Sequence, residues 1–190
     1  MNDKEFYILI GAGGQIGHEL TKRLALRNAN CQILAIDKNF DPNHQTPQNV
    51  IAVKEDVKTL NLIDMLGDKI INASNVRFIY NAAVSFFSPL KTRTRDELNE
   101  TFEVNIASAI SCYKSFLTIR EKLKIEKKET SAIFTGSVYG VVSPDFRIYS
   151  DGDRRNSECY GASKAALIQA VKYFASSFVV NPEYIAFSYP

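Results

Sequence analysis

The chain has no tryptophan, only two histidines and only three cysteines among its 190 residues. Cys31, Cys112 and Cys159 are odd in number, far apart and without a C-x-x-C pair. That excludes a disulfide framework and a thiolate metal site, and it suits a reducing compartment. His18 and His44 are isolated, so no His-rich ligand set forms and no metal is expected. Cys159 adjoins Tyr160, but no histidine stands nearby in sequence to activate it, and it reads as a small buried side chain.

Long apolar runs are absent as well. None approaches the ~18 residues of a membrane span. The run after Glu5 is too short for the core of a secretion signal, so the expectation is a cytoplasmic protein with no membrane partner. Charge of one sign is also missing. A net charge of +2 gives no field for nucleic acid. The run from Glu121 to Glu129 mixes signs and reads as a solvated helix end. With 45% hydrophobic and 23% charged residues, the chain is an ordinary globule, read as one domain over 1–190.

The apolar residues that are present are ordered by period. Phe6 to Ile10 is continuous, as in a strand buried on both faces of a parallel sheet. Gly11, Gly14 and Gly17 follow at once, and residues 18–27 then repeat apolar positions at helical spacing. Strand, glycine turn and helix in direct succession are what a dinucleotide fingerprint requires. Glycine lets a pyrophosphate approach the backbone, and the free N–H groups of the helix start hold it. Gln15 and Ile16 stand between the second and third of these glycines.

A second strand, Ile33–Ile36, ends in Asp37, about twenty residues beyond Gly17. A carboxylate there either accepts hydrogen bonds from a ribose diol and repels a 2′-phosphate, or simply caps a strand end. The first alternative favours NAD over NADP, a preference that Lys38 beside it would soften. Residues 38–49 form a loop, Val50–Val53 a third strand, and Leu60, Ile63 and Leu66 a helix that stops at Gly67. Arg77–Tyr80 is a fourth strand running into the small residues Asn81-Ala82-Ala83.

A long helix is expected from Thr94 to about Lys124, with Leu98, Phe102, Ile106, Ile110, Tyr113, Phe116 and Leu117 on its apolar side. Asn105 sits in its middle, where asparagine is a poor choice. It is either exposed or hydrogen-bonded in the core. A fifth strand, Ser131–Thr135, leads to Ser137, a hydroxyl at the carboxyl end of the sheet where ligands meet such folds. The stretch from Val141 to Cys159 reads as a loop at the substrate entrance. A helix then runs from Tyr160 to about Phe178, with Ala166, Leu167, Ala170, Val171 and Phe174 turned inward, and Tyr184–Ser188 is a sixth strand.

Tyr160 and Lys164 are one helical turn apart and share a face. A phenol ordinarily ionises near pH 10, so readying its anion near neutrality takes about 4 kcal/mol. A neighbouring ammonium supplies part of that, and the phenol can then exchange a proton. An isolated Y-x-x-x-K is weak evidence; its company is what counts.

Taken together, the chain resembles the short-chain dehydrogenase/reductase family over essentially its whole length. The resemblance rests on Gly11/Gly14/Gly17, Asp37, Asp56-Val57, Asn81-Ala-Ala83, Asn105, Ser137-x-x-Gly140 and Tyr160-x-x-x-Lys164, each after the expected element. It implies an α/β doubly wound parallel sheet (Rossmann fold) with helices on both faces. It also implies hydride transfer between a nicotinamide and a secondary alcohol or ketone. Tyr160 would exchange the proton, with Lys164 depressing its pKa and holding the nicotinamide ribose. Ser137 would hold the substrate oxygen, and Asn105 a water leading from Lys164 to solvent. Gly11, Gly14, Gln15, Ile16 and Gly17 would cradle the coenzyme, with Asp37 on a ribose. Asp56 and Val57 would meet adenine, and Asn81, Ala82 and Ala83 the nearby ribose.

The glycine spacing and Val138-Tyr-Gly140 resemble the sugar-nucleotide branch, under which Thr135 would replace Ser137 as the hydroxyl; Ser137 is preferred here. Ser143-Pro-Asp-Phe-Arg-Ile-Tyr149 resembles members linked to bacterial surface sugars, which suggests a sugar-derived small-molecule substrate. The family continues beyond the sixth strand, so the resemblance implies an ending that lacks a C-terminal strand and a substrate-covering segment. A homodimer or homotetramer is implied as well. The competing readings are a nucleotide-sugar epimerase or dehydratase that retains its NAD, and a non-catalytic dinucleotide-binding protein.

Overall fold

The computed structural model describes residues 5–27, 29–43, 45–66, 70, 73–122, 130–149, 157–177 and 184–188. Six parallel strands form one sheet in the order β3-β2-β1-β4-β5-β6. They are β1 (Glu5–Ile10), β2 (Gln32–Asp37), β3 (Val50–Lys54), β4 (Asn75–Tyr80), β5 (Thr130–Thr135) and β6 (Tyr184–Ser188). The helices are α1 (Gln15–Arg27), α2 (Leu62–Leu66), α3 (Arg95–Phe102), α4 (Ser108–Lys122) and α5 (Glu158–Ser177).

Side chains of β1 alternate between two cores because successive residues on a strand point to opposite faces. Ile8 and Ile10 enter a core shared with α2, α4 and α5, while Leu9 enters a second core packed against Leu20 and Leu24 of α1. Both faces are covered, which is why β1 has no polar alternation. The first core is aromatic. Phe78 stacks on Phe116 at 5.2 Å and Tyr113 meets Phe134 edge-on at 5.5 Å. Such pairs add to the area they bury.

The chain leaves β1 toward β2 on one side, and β4 pairs on its other side. Strand order therefore reverses between β1 and β4, and their carboxyl ends open a crevice. Gly11 follows β1 and Asn81 follows β4. Asn81 N–H donates to the Ile10 carbonyl at 2.8 Å, and its side-chain amide donates to the Gly11 carbonyl at 2.9 Å.

Several expectations shift. The first helix starts at Gln15, not at residue 18, because the Gly14 carbonyl already accepts from His18 N–H at 2.8 Å. Leu60 precedes α2, which begins at Leu62, and the last helix begins at Glu158, before Tyr160. The long helix starts at Arg95 behind Thr94, whose side chain and Glu97 form a reciprocal capping box. It is not one α-helix: residues Glu103–Ala107 form a π turn between α3 and α4. Leu98 and Ile110, expected inside, are 37% and 41% exposed, whereas Tyr113 and Phe116 are buried as expected. Gly67, His44, Phe178, residues 123–129 and 150–156 lie outside the described residues, so the expectations there stop at the edges. The remainder of the Val141–Cys159 stretch includes a short 3-10 turn at Phe146–Ile148.

Candidate active site

The glycine loop is built by close approach. Gly11 has φ +85°, and a Cβ placed on it would lie 2.3 Å from the Ala82 nitrogen. A Cβ on Gly17 would lie 2.0 Å from the Gly11 carbonyl oxygen. These two glycines close the turn against β4's exit and against α1. Gly14 differs, since a Cβ there would meet nothing within 4 Å. It is the one fingerprint glycine with open space beside it. Gln15 and Ile16 in the first turn of α1 are exposed.

Asp37 turns back onto this loop. One carboxylate oxygen accepts from Gly13 N–H at 2.9 Å and the other from Asn39 N–H at 3.0 Å. The capping alternative is thus realised, and each oxygen keeps a second lone pair. Gly13 went unnoticed in the sequence; it is glycine because a Cβ would strike the Asn39 carbonyl at 1.9 Å. Beyond Asp37 lies a cleft of about 440 Å³. It is lined by Gly11, Asp37, Asp56, Val57, Ala82 and Ala83, with Lys38, Glu55, Val84 and Val104 as further walls. A larger hollow of about 630 Å³ lies between α1 and the helix-free connection from β2 to β3. Neither hollow is lined by a candidate catalytic residue, but the larger one has none of the expected coenzyme-binding residues on its walls, whereas the smaller has Gly11, Asp37, Asp56, Val57, Ala82 and Ala83, so the smaller cleft is the better site.

Lys164 is buried, and its ammonium donates to the Thr135 carbonyl at 2.7 Å. Burial pushes its pKa down to about 8. The same nitrogen lies 5.7 Å from the centre of the Tyr160 ring. The Thr135 hydroxyl donates to the Asn81 side-chain carbonyl at 3.0 Å. Ser137 is buried and its Oγ accepts from Tyr139 N–H at 3.2 Å, capping a 3-10 turn at Val138–Gly140. Its hydroxyl proton is not used in that bond. A Cβ on Gly140 would lie 2.9 Å from the Ala165 nitrogen, and one on Gly161 2.9 Å from the Tyr139 carbonyl oxygen. The turn bearing Ser137 therefore sits directly on the helix bearing Tyr160 and Lys164.

Asn105 is fully buried in the π turn. Its Oδ1 accepts from Val84 N–H at 2.8 Å, while Nδ2 donates to the Val84 carbonyl at 3.0 Å and to Ser163 Oγ at 2.9 Å. Both amide protons are spent, leaving only an Oδ1 lone pair or the backbone carbonyl for a water. Ser163 in turn donates to the Tyr160 carbonyl at 2.8 Å. Ser163, Arg93 and Glu158 are site-supporting residues that sequence reasoning missed. Ser163 stands within the Tyr160–Lys164 motif and could have been asked for a role there. The Cys159 thiol is pushed up by burial and by its bond to the Glu158 carboxylate, which makes it a poor nucleophile. Among the described residues no group of three or more His, Cys, Asp or Glu side chains is arranged so that it could hold a metal ion, and no helix is long and apolar enough to cross a membrane.

Residues 5–180 match the family model for short chain dehydrogenases, and the chain belongs to that family. It is 23% identical over 176 residues to an uncharacterised oxidoreductase of Schizosaccharomyces pombe, covering 88% of this chain and 65% of that protein. Among solved structures it resembles a short chain dehydrogenase of Leptospira borgpetersenii with bound NAD+. There the TM-score is 0.75 and the identity 23%, over 93% of this chain and 66% of the other. It also resembles a 4-hydroxyisoleucine dehydrogenase complexed with NADH, at TM-score 0.71 and 22% identity, over 93% and 70%. A third is ElxO with NADP bound, at TM-score 0.74 and 16% identity, over 98% and 72%. The chain spans about two thirds of the length of these relatives.

Proposed function

We propose that the chain is an NAD-dependent oxidoreductase acting on a secondary alcohol or ketone. The observation that carries this reading is Lys164, buried on the same helix as Tyr160 and hydrogen-bonded to the end of β5 beside Ser137. The residues fit a nicotinamide dinucleotide. Gly14 leaves room for a pyrophosphate at the start of α1, Asp37 retains lone pairs for a ribose diol, and the cleft with Asp56 and Val57 suits an adenine. When bound, such a coenzyme supplies the hydride chemistry.

The chain's own residues do the rest. Tyr160 exchanges a proton with the substrate oxygen, and Lys164 brings positive charge beside it and offers its remaining N–H groups to ribose hydroxyls. Ser137 donates its free hydroxyl proton to the same substrate oxygen as charge develops there. Thr135 is the weaker choice for that task, since its proton is already given to Asn81. Asn105 acts through the loop after β4 and through Ser163, and passes protons only by way of a water on its Oδ1 or carbonyl.

Asp37 favours NAD over NADP, because two carboxylate oxygens already fixed toward the loop disfavour an added phosphate. The buried free thiols suit a reducing cytoplasm. Ile110 of α4 and Tyr173 of α5, both exposed, suit pairing of these helices in a homodimer or homotetramer. A second reading, a nucleotide-sugar epimerase or dehydratase with retained NAD, is favoured by the hydroxyls of Tyr139 and Tyr149. They lie 3.1 Å apart beside the Ser137 turn and suit a polyol.

Titration with NADH and NADPH by fluorescence tests the coenzyme reading, and binding of neither would end it. Turnover on a panel of alcohols and ketones, lost in Tyr160→Phe while NADH binding persists, tests the chemistry. Copurifying NAD without net turnover would shift the assignment to the second reading.

A further inference from the structure

We propose that Arg93 is a positioning residue whose buried guanidinium ties the loop after β4 to the first turn of α5 and so sets where Tyr160 stands. The inference rests on the reading of Tyr160 as the proton-exchanging group. Arg93 lies just before Thr94, the N-cap of α3, and its side chain is 5% exposed. Nη2 donates to the carbonyls of Phe86 and Ser88 at 3.1 and 2.7 Å, and Nη1 donates to Ser88 Oγ at 2.6 Å. Nε donates to Glu158 Oε1 at 3.1 Å. Ser88 passes its own proton to Glu97 at 2.7 Å, which joins the loop to the capping box of α3. Only a planar fork of fixed donors can serve two carbonyls, a hydroxyl and a carboxylate together.

The loop is therefore gripped twice, and each grip also reaches α5. Asn105 holds Val84 and touches α5 through Ser163; Arg93 holds Phe86 and Ser88 and touches α5 through Glu158. Residues 158 and 163 bracket Tyr160, so its helical turn is fixed from both sides. Stability alone does not explain the second grip. Glu158 is 42% exposed, where an ion pair contributes little, and the buried Arg93 charge already has a second carboxylate, Glu97 Oε2, 3.7 Å from Nη1. Burial would raise the Glu158 carboxyl, but its own backbone N–H and Arg93 outweigh that and hold it below the ordinary range.

Hydrogen exchange read by mass spectrometry on Arg93→Ala, Glu158→Ala and Glu158→Gln tests the brace without any ligand. The two alanine variants are expected to speed exchange at least tenfold both in residues 84–88 and in residues 158–162, leaving β1 and α1 unchanged. Glu158→Gln keeps an acceptor for Nε and is expected to restore most of the protection. Because Glu158 is partly exposed, its variants fold even if Arg93→Ala does not. A change confined to one of the two segments overturns the proposal.

The reach to the site is read by comparing NADH with ADP, which lacks the nicotinamide and its ribose. Glu158→Ala is expected to weaken NADH about tenfold and ADP less than twofold, with Glu158→Gln near wild type. Equal effects on both ligands, or none on NADH, overturn it. Wild-type protein that binds neither ligand would instead count against the dinucleotide reading, with the exchange data still deciding the brace.

Discussion

Asn105 holds Val84 by both of its backbone polar groups, accepting from the N–H at 2.8 Å and donating to the carbonyl at 3.0 Å. Val84 lies just past the end of β4, where the strand ladder no longer satisfies those groups, and an unpaired buried backbone group is costly. The π turn brings the amide to that position. Tyr80, the last residue of β4, ties the same turn by donating its hydroxyl to the Val104 carbonyl at 2.5 Å. Interruptions of this kind recur at functional sites.

Asn105→Ala should therefore destabilise the protein by about 2–4 kcal/mol, the cost of orphaning buried partners. Ser163→Ala removes one shared bond and should cost about 1 kcal/mol. Urea melts of the two variants check the ranking, and an Asn105→Ala protein as stable as wild type would remove the clamp from the account.

The glycines should separate into two kinds. Gly11→Ala places a side chain at φ +85° against Ala82 and should lose about 2 kcal/mol from backbone conformation alone, before the clash. Gly14→Ala has free space and should melt within a few degrees of wild type while binding NADH at least tenfold more weakly. Thermal melts paired with fluorescence titration distinguish them. Intact NADH binding in Gly14→Ala would move the pyrophosphate elsewhere.

Lys164 makes stability depend on pH. Its pKa falls from 10.5 to about 8 on folding, so between those values the unfolded chain holds more protons. Stability must then rise with pH across that window, by about 3 kcal/mol for this group. Below pH 8 the buried ammonium is a liability that is fully present. Tyrosines and cysteines titrate nearby, so the measurement is the stability of wild type minus that of Lys164→Met from pH 7 to 10.5. A flat difference would show that the lysine is not buried as described.

Coenzyme choice should turn on Asp37. Asp37→Ser removes the charge and should lower the preference for NADH over NADPH by about tenfold, roughly 1.4 kcal/mol. The ratio of the two dissociation constants in wild type and variant measures it. An unchanged ratio would assign discrimination to other residues, with Lys38 the first to test.

Much of this was legible in order along the chain. The unbroken apolar run Phe6–Ile10 announced a central parallel strand, and the glycines after it announced a turn too tight for side chains. Tyr160 and Lys164 could be paired because a helix brings every fourth residue to the same face. Asn105 could only be marked as out of place: helical spacing alone does not reveal that the helix opens there. Spacing likewise places Leu98 and Ile110 inward, yet both are exposed in the folded chain.

Local pattern thus determined the strands, the glycine turn and the lysine beside the tyrosine, because each depends on the geometry of a few adjacent residues. Which glycine stays open, which way Asp37 turns, and how Arg93 and Asn105 grip the loop from opposite ends were decided only in the folded molecule. Those contacts join segments far apart in the chain, and burial is what made their few hydrogen bonds obligatory.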